Sequence, residues 1–328
     1  MKKIIILFCA IIVLITVALL FTDNKKEKDL KHVKVAEVTH SIFYTPMYVS
    51  DALGYFKDEG LDVEIILTSG ADNVAAAVMS GDVQIGFCGS EQSIYIYNEG
   101  AKDYLVNFAG LTKRDGSFLV SREKEENFDL SHLIGRDIIG GRKGGMPAMT
   151  LAYTLHEAGI KEEEVNVDTS IAFASMSGAF IGGTGDYVTL FEPNASQIEK
   201  QGYGYIVASI GKMGGVVPYT AFNAKKSYIK KNPDVIESFS KAIQKGLDYT
   251  FSHSDEDLAK LITDYFPDTS YNDLVNTIKN YRNIDSWNKT TYISKEGFEH
   301  IEEIMKYNKV LDKDAPYKLL VDNTYNHE

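Results

Sequence analysis

Cysteine is nearly absent from these 328 residues: Cys9 sits inside an apolar N-terminal run and Cys88 is the only other one. With a single cysteine outside that run, no intramolecular disulfide can close the rest of the chain, so stability must come from packing. A structural zinc site of the usual Cys/His kind is excluded for the same reason. Histidines such as His40, His132, His156, His253, His300 and His327 are scattered, without the Glu or His spacing that a catalytic metal needs. They read as solvated or structural, and neither a metal nor a cofactor is expected. Positive charge is scarce as well, with 34 Lys and Arg against 46 Asp and Glu and a formal net charge of −12. Such a balance argues against nucleic acid or an anionic membrane surface as partner. No G-x-S-x-G occurs, no Ser/His/Asp set stands out and no G-x-x-x-x-G-K-[ST] loop is present. Hydrolytic nucleophiles and nucleotide hydrolysis therefore have no support, and the chain does not read as an enzyme.

One long hydrophobic run is present, and it sits at the start. Met1-Lys2-Lys3 precedes a run from Ile4 to Phe21 that is apolar apart from Thr16, and Thr22 to Asp29 is abruptly polar. A positive start, an apolar stretch and a polar exit form an export signal, so the remainder is expected to fold outside the cytoplasm. Eighteen residues lie near the lower limit for crossing a hydrocarbon core of about 30 Å and exceed the usual signal core of about 7 to 15 residues. Three readings stay open: an uncleaved anchor over residues 4–21, a cleaved signal, or lipidation at Cys9. No Ala-x-Ala follows Phe21, and Cys9 stands early in the run rather than after it. Without Lys2 and Lys3 the net charge moves from −12 to −14. Residues 1–22 are thus assigned as signal or membrane anchor and 23–32 as linker, with Lys25 to Lys31 as a charged tether.

Beyond the linker the pattern alternates strand and helix. Val33–Thr39, Val63–Thr68 and Val83–Cys88 read as strands, with helices at Pro46–Glu59, Asp72–Ser80 and Glu91–Glu99 between and after them. The same grammar restarts with strands at Asp137–Gly141, Val165–Thr169 and Tyr187–Phe191 and helices at Pro147–Ala158 and Ser175–Ile181. This predicts an α/β class: two doubly wound lobes with parallel sheets covered on both faces. A chain of this length also tends to divide its core. From Lys225 onward amphipathic helices dominate, at Asn232–Ser252, Asp255–Phe266, Asn272–Asn280 and Lys295–Lys306, with Phe239, Ile243, Leu247 and Phe251 along one face of the first. They need a sheet to cover, so the chain is expected to return to the first lobe. The expected division is 33–119 with 222–328 as lobe 1 and 120–221 as lobe 2. Crossings near Ser117–Ser121 and Tyr219–Ala224 would form the hinge, with a ligand cleft between the lobes.

Ligands of open α/β sheets bind at the carboxyl ends of the strands, which selects a small set of turns. Gly140-Gly141-Arg142-Lys143-Gly144-Gly145-Met146-Pro147 joins four glycines, two cations and a helix start. It could offer backbone donors and a positive dipole end to a carboxylate, phosphate or ring atom. Phe43 and Tyr44 follow the first strand and could stack on a planar ligand or pack beneath the first helix. Asp72 and Ser90 look like helix N-caps. Glu91 and Glu192 are better placed to bond a ligand amine or ring N–H, and Cys88 reads as a buried strand-end residue.

Taken together, Phe43-Tyr44-Thr45-Pro46-Met47-Tyr48-Val49-Ser50, Gly54-Tyr55-Phe56-Lys57-Asp58-Glu59-Gly60-Leu61-Asp62-Val63-Glu64 and Ser80-Gly81-Asp82-Val83-Gln84-Ile85-Gly86 resemble the solute-binding proteins of ABC importers. The likeness is to the branch that binds thiamine-pyrimidine precursors, riboflavin and alkanesulfonates, and Lys230-Lys231-Asn232-Pro233 is similar to its second hinge region. The resemblance implies a bilobal fold that closes on a small-molecule solute and docks on an ABC permease with its ATPase. It implies cleft positions at Phe43, Tyr44, Asp72, Gly89, Ser90, Glu91, Arg142, Gly144, Gly145, Met146 and Glu192. Eukaryotic thiamine-pyrimidine synthases share the fold, but their cysteine-rich motif is missing here.

Overall fold

The structure is a computed structural model in which residues 30–326 are described. The leader and most of the linker lie outside the described residues. Among those described, no helix is long and apolar enough to cross a membrane. Two five-stranded sheets organise the chain. The first has strands β1 (Lys31–Glu37), β2 (Leu61–Leu67), β3 (Ile85–Cys88), β4 (Leu105–Thr112) and β10 (Thr220–Lys225), ordered β2-β1-β3-β10-β4. The second has β5 (Ser117–Ser121), β6 (Asp137–Ile139), β7 (Asn166–Asp168), β8 (Tyr187–Phe191) and β9 (Tyr205–Ser209), ordered β7-β6-β8-β5-β9.

The sheets are mixed, not parallel as the alternating pattern implied. β10 runs antiparallel to β3 and β4, and β5 runs antiparallel to β8 and β9. The cause is the crossing itself: Ser117–Ser121 pairs along its length with β8 and β9, and Thr220–Lys225 with β3 and β4. Each segment expected as a hinge therefore enters the other sheet as a strand. The chain changes sheet at 113–116, and again between the end of β9 and the start of β10.

Both faces of each sheet are covered. On the first, Val33, Val35, Ile85 and Phe87 join the large core, while Ala36 and Cys88 face a smaller cluster under the helix Ala71–Ser80. The large cluster also holds Phe118, Val188 and Leu190 from the second sheet, so apolar packing is continuous between the lobes. The helix expected over Pro46–Glu59 is two pieces, Thr45–Ala52 and Tyr55–Asp58, because Gly54 takes φ 71° between them. On the helix Pro233–Ser252, Phe239, Ile243 and Leu247 are buried, but Phe251 is 39% exposed and Thr250 takes its place inside. Four-residue steps overshoot a 3.6-residue turn, and after three of them the face has rotated away. The helix Lys295–Tyr307 contributes Phe298 and Ile301 to the large core. It also packs on the second lobe's helix Met146–Glu157, with His156 stacked on Tyr307 at 4.4 Å and His300 Nε2 2.9 Å from Gly214 O.

Candidate functional site

The parallel strands of both sheets point their carboxyl ends at one cavity of about 610 Å³, within the range usual for small-molecule sites. Its wall is built from segments at the strand ends: residues 38–41, Phe43 and Tyr44 after β1, 69–71 after β2, Gly89, Glu91 and Gln92 after β3, the glycine-rich loop after β6, Phe173, Ala174 and Met176 after β7 and residues 191–194 at the end of β8. Tyr219 and Thr220 complete it, because an antiparallel strand begins where its neighbours end.

Phe43, Tyr44, Gly89, Glu91, Arg142, Gly144, Gly145, Met146 and Glu192 all line this cavity. Two expected residues do not. Ser90 is buried and its hydroxyl donates to Pro218 O at 2.5 Å. Asp72 lies in the first turn of its helix behind the N-cap Gly70, exposed, and accepts from Arg142 Nη2 at 3.3 Å. Neither side chain makes the N-cap bond its position suggested, since Ser90 is helical in backbone and Asp72 comes two residues too late.

The aromatic positions are rigidly held. Residues 42–44 form a short 3-10 turn, and Trp287 Nε1–H donates to Phe43 O at 2.8 Å. The Phe43 ring lies 4.7 Å from Tyr281, and Tyr44 meets Phe87 edge-on at 4.5 Å. Both residues are buried by the protein and still border the cavity, so packing beneath the helix and facing a ligand are compatible. Phe191 and Tyr219 stand 6.0 and 6.1 Å from Phe43, and Phe173 meets Phe191 at 5.7 Å. Sequence reasoning misses Phe173, Phe191 and Tyr219. Phe173 and Phe191 lie just after β7 and at the end of β8, so seeking aromatics at every parallel strand end would find them. Tyr219 needs the topology.

The charged groups divide by depth. Arg142, 65% exposed, sits at the rim with Asp72. Glu192 is buried, and its carboxylate already accepts from Ser196 N at 3.0 Å, Ser196 Oγ at 2.6 Å and Asn280 Nδ2 at 2.5 Å. Both of its oxygens thus have protein donors, and the bond to Asn280 ties the second lobe to the helix Tyr271–Asn283. The Gly145 N–H is also spent, closing a turn on Arg142 O at 3.1 Å, and Pro147 removes another donor from the helix start. Glu91 differs. It is 4% exposed, its carboxyl is approached by Gln92 Nε2 at 3.2 Å and by its own backbone N–H, and its Oε2 has no hydrogen-bond partner among the described residues. Burial pushes its carboxyl up to about 7, against a smaller opposing effect of Gln92. Burial likewise raises the Cys88 thiol well above its ordinary value, leaving it an inert strand-end residue.

His40, at the cavity wall, stands between two acceptors, Glu37 Oε1 and Tyr265 O, each 2.8 Å from a ring nitrogen. The Glu37 bond raises its pKa and outweighs burial. Among the described residues no group of His, Cys, Asp and Glu is placed to hold a metal ion.

Residues 42–257 match the family described as "NMT1/THI5 like". The chain is 44% identical over 299 residues to YtlA of Bacillus subtilis (strain 168), named as a candidate binding protein, with 91% of this chain and 90% of that one covered. It is 22% identical over 315 residues to the 4-amino-5-hydroxymethyl-2-methylpyrimidine phosphate synthase of Candida albicans (strain WO-1), covering 84% and 88%. Among solved structures it is similar to the alkanesulfonate-binding protein SsuA of Xanthomonas axonopodis pv. citri bound to MOPS, with TM-score 0.71, 12% identity and 90% and 99% coverage. That last likeness is one of fold. With a family match over most of the chain and a near-full-length relative, the chain belongs to the NMT1/THI5-like family.

Proposed function

We propose that the protein is an extracytoplasmic solute receptor of an ABC importer. It traps a small planar heteroaromatic solute, of the thiamine-pyrimidine-precursor or flavin type, between its lobes and presents it to a permease and its ATPase. The observation that carries this reading is the cavity of about 610 Å³ between the carboxyl ends of both sheets, walled by Phe43, Tyr44 and Tyr219 from one side and Phe173 and Phe191 from the other. Rings of the solute and wall would stack, at roughly 0.5–1.5 kcal/mol per pair beyond area burial. The binding-protein name of YtlA and the pyrimidine in the name of the Candida albicans relative support the class and the solute type respectively. The isolated, inert Cys88 counts against a synthase-like enzyme.

Motion is part of the proposal. The lobes would hinge where the chain changes sheet and close on solute, so that only the filled form offers both to the permease. The segment 4–21 would hold the receptor at the outer face of the membrane or be removed on export. Arg142 and the fold likeness to an alkanesulfonate binder give the organic-anion alternative its footing. Mass spectrometry of small molecules retained through purification, followed by a thermal-shift screen, separates the two. Stabilisation by pyrimidines or flavins supports the reading, whereas stabilisation by sulfonates alone defeats it.

A further inference from the structure

We infer that Glu91 is the specificity residue of the cavity, an acceptor reserved for a cationic or N–H-rich edge of the solute such as an aminopyrimidine or amidinium face. The inference rests on the solute-receptor reading and narrows its chemistry. Four observations carry it. Glu91 lines the cavity. Its Oε2 is the buried carboxylate oxygen there without a partner, while Glu192 is filled by Ser196 and Asn280. A buried polar group left unpaired costs about 1–3 kcal/mol, so a site that keeps one gains by meeting its complement. Room has been left for that carboxyl: a Cβ on Gly89 would lie 2.0 Å from Glu91 Oε2. Finally, among the described residues no cation is paired with it. The ionisable groups that act on Glu91 or feel its charge are Tyr44, Cys88, Tyr95 and Tyr219, all neutral at ordinary pH. Arg142 is at the rim and held by Asp72, and His40 is engaged by Glu37 and Tyr265. An anionic head group placed beside Glu91 would meet a like charge, and a donor edge would meet an empty acceptor.

A matched pair of probes tests this with the purified full-length chain: benzamidine, a planar amidinium, and benzenesulfonate, the same ring with opposite charge. By calorimetry at pH 8, benzamidine should bind at least about tenfold tighter. Its affinity should fall by about tenfold per pH unit below 7 as Glu91 takes up a proton. Glu91→Gln should abolish both the preference and the pH dependence. Gly89→Ala, which keeps the charge but displaces the carboxyl, should weaken benzamidine as well. The wild-type comparison and pH profile need no variant, so misfolding of either substitution leaves the test intact. Tighter binding of benzenesulfonate, or benzamidine affinity that falls as pH rises, overturns the assignment. If 4-amino-5-hydroxymethyl-2-methylpyrimidine or riboflavin binds with unchanged affinity in Glu91→Gln, the assignment falls and the receptor reading stands. If no planar compound of any charge binds, the planar-solute reading itself falls.

Discussion

Replacing Glu91 by Gln in the solute-free protein should stabilise it, and increasingly so as pH rises. The side chain keeps its size and its contact with Gln92, so packing is preserved and the perturbation is confined to charge. A carboxyl that titrates at about 7 in the folded chain instead of its ordinary 4.5 holds its proton more tightly folded than unfolded. Stability from this group is therefore present below pH 4.5 and is lost as pH rises toward and past 7. At about 1.4 kcal/mol per pH unit, the full cost at pH 8.5 is roughly 3 kcal/mol. Glutamine carries none of it. At about 2.1 cal/mol/K of unfolding entropy per residue, 1 kcal/mol corresponds to about 1.5 °C in Tm for a chain of this size, so the variant should melt roughly 5 °C above wild type at pH 8.5. The two should nearly coincide at pH 4.5. Differential scanning calorimetry at four or five pH values provides the measurement. Every other titrating group is common to both proteins, so the difference curve isolates Glu91. A gap that does not grow with pH, or a variant less stable at pH 8.5, would show that the carboxylate is compensated and that the argument for an empty acceptor is wrong.

Gly246→Ala should be strongly destabilising, because the new Cβ would lie 2.0 Å from Ser50 Oγ and 2.3 Å from Pro46 O. The serine can rotate, but the carbonyl belongs to a buried helix, so the gain of about 1 kcal/mol in helix propensity is outweighed by about 3 kcal/mol or more of overpacking; urea denaturation would read the net loss. Arg142→Ala should leave stability within about 0.5 kcal/mol, since both partners of its pair with Asp72 are more than half exposed, and an unchanged melting curve is the expected result. His40→Asn should cost most at low pH. The raised pKa of His40 means its contribution is full below its ordinary 6.5 and is lost as pH climbs through the raised value. The gap between variant and wild type should therefore be wider at pH 5.5 than at pH 8.5 in parallel thermal melts.

Much of the fold is legible in local pattern, and the failures share a cause. Tyr187–Phe191 is a strand at the expected bounds, and the helix expected at Pro147–Ala158 runs Met146–Glu157. In both, a short-range signal decides: a run of apolar and β-branched residues in one, and Pro near the start with Gly159 just past the end in the other. β5 and β10 read as crossings in the sequence because Ser117–Ser121 and Thr220–Lys225 acquire strand character from partners about 70 and 110 residues away, Tyr187–Phe191 and Leu105–Thr112. No window on the sequence contains that pairing. The site divides likewise. Nine of the eleven cleft residues line one cavity because strand ends are legible, but Ser90 and Asp72 could not be excluded without knowing that Pro218 O and Arg142 reach them. Glu91 and Glu192 differ partly in a local signal, Ser196 four residues after Glu192, and partly in a distant one, Asn280, 88 positions along the chain from Glu192.

That difference also orders the contacts that hold the lobes together. The pair Arg142–Asp72 crosses the cavity mouth in water, where such pairs contribute about 0–1 kcal/mol. The bond from Asn280 to the buried Glu192 crosses between lobes in a part-buried setting, with Ser196 donating twice more to the same carboxylate. Charge-assisted bonds of that kind are worth about 1.5–3 kcal/mol, and breaking one strands a charge. Glu192 and the helix Lys295–Tyr307 seated on Met146–Glu157 thus join the lobes alongside the continuous apolar core, while Glu91 makes no bond between them. In this division of labour one buried carboxylate joins protein to protein, and the other, buried to a similar degree, borders the cavity with one oxygen that has no hydrogen-bond partner among the described residues.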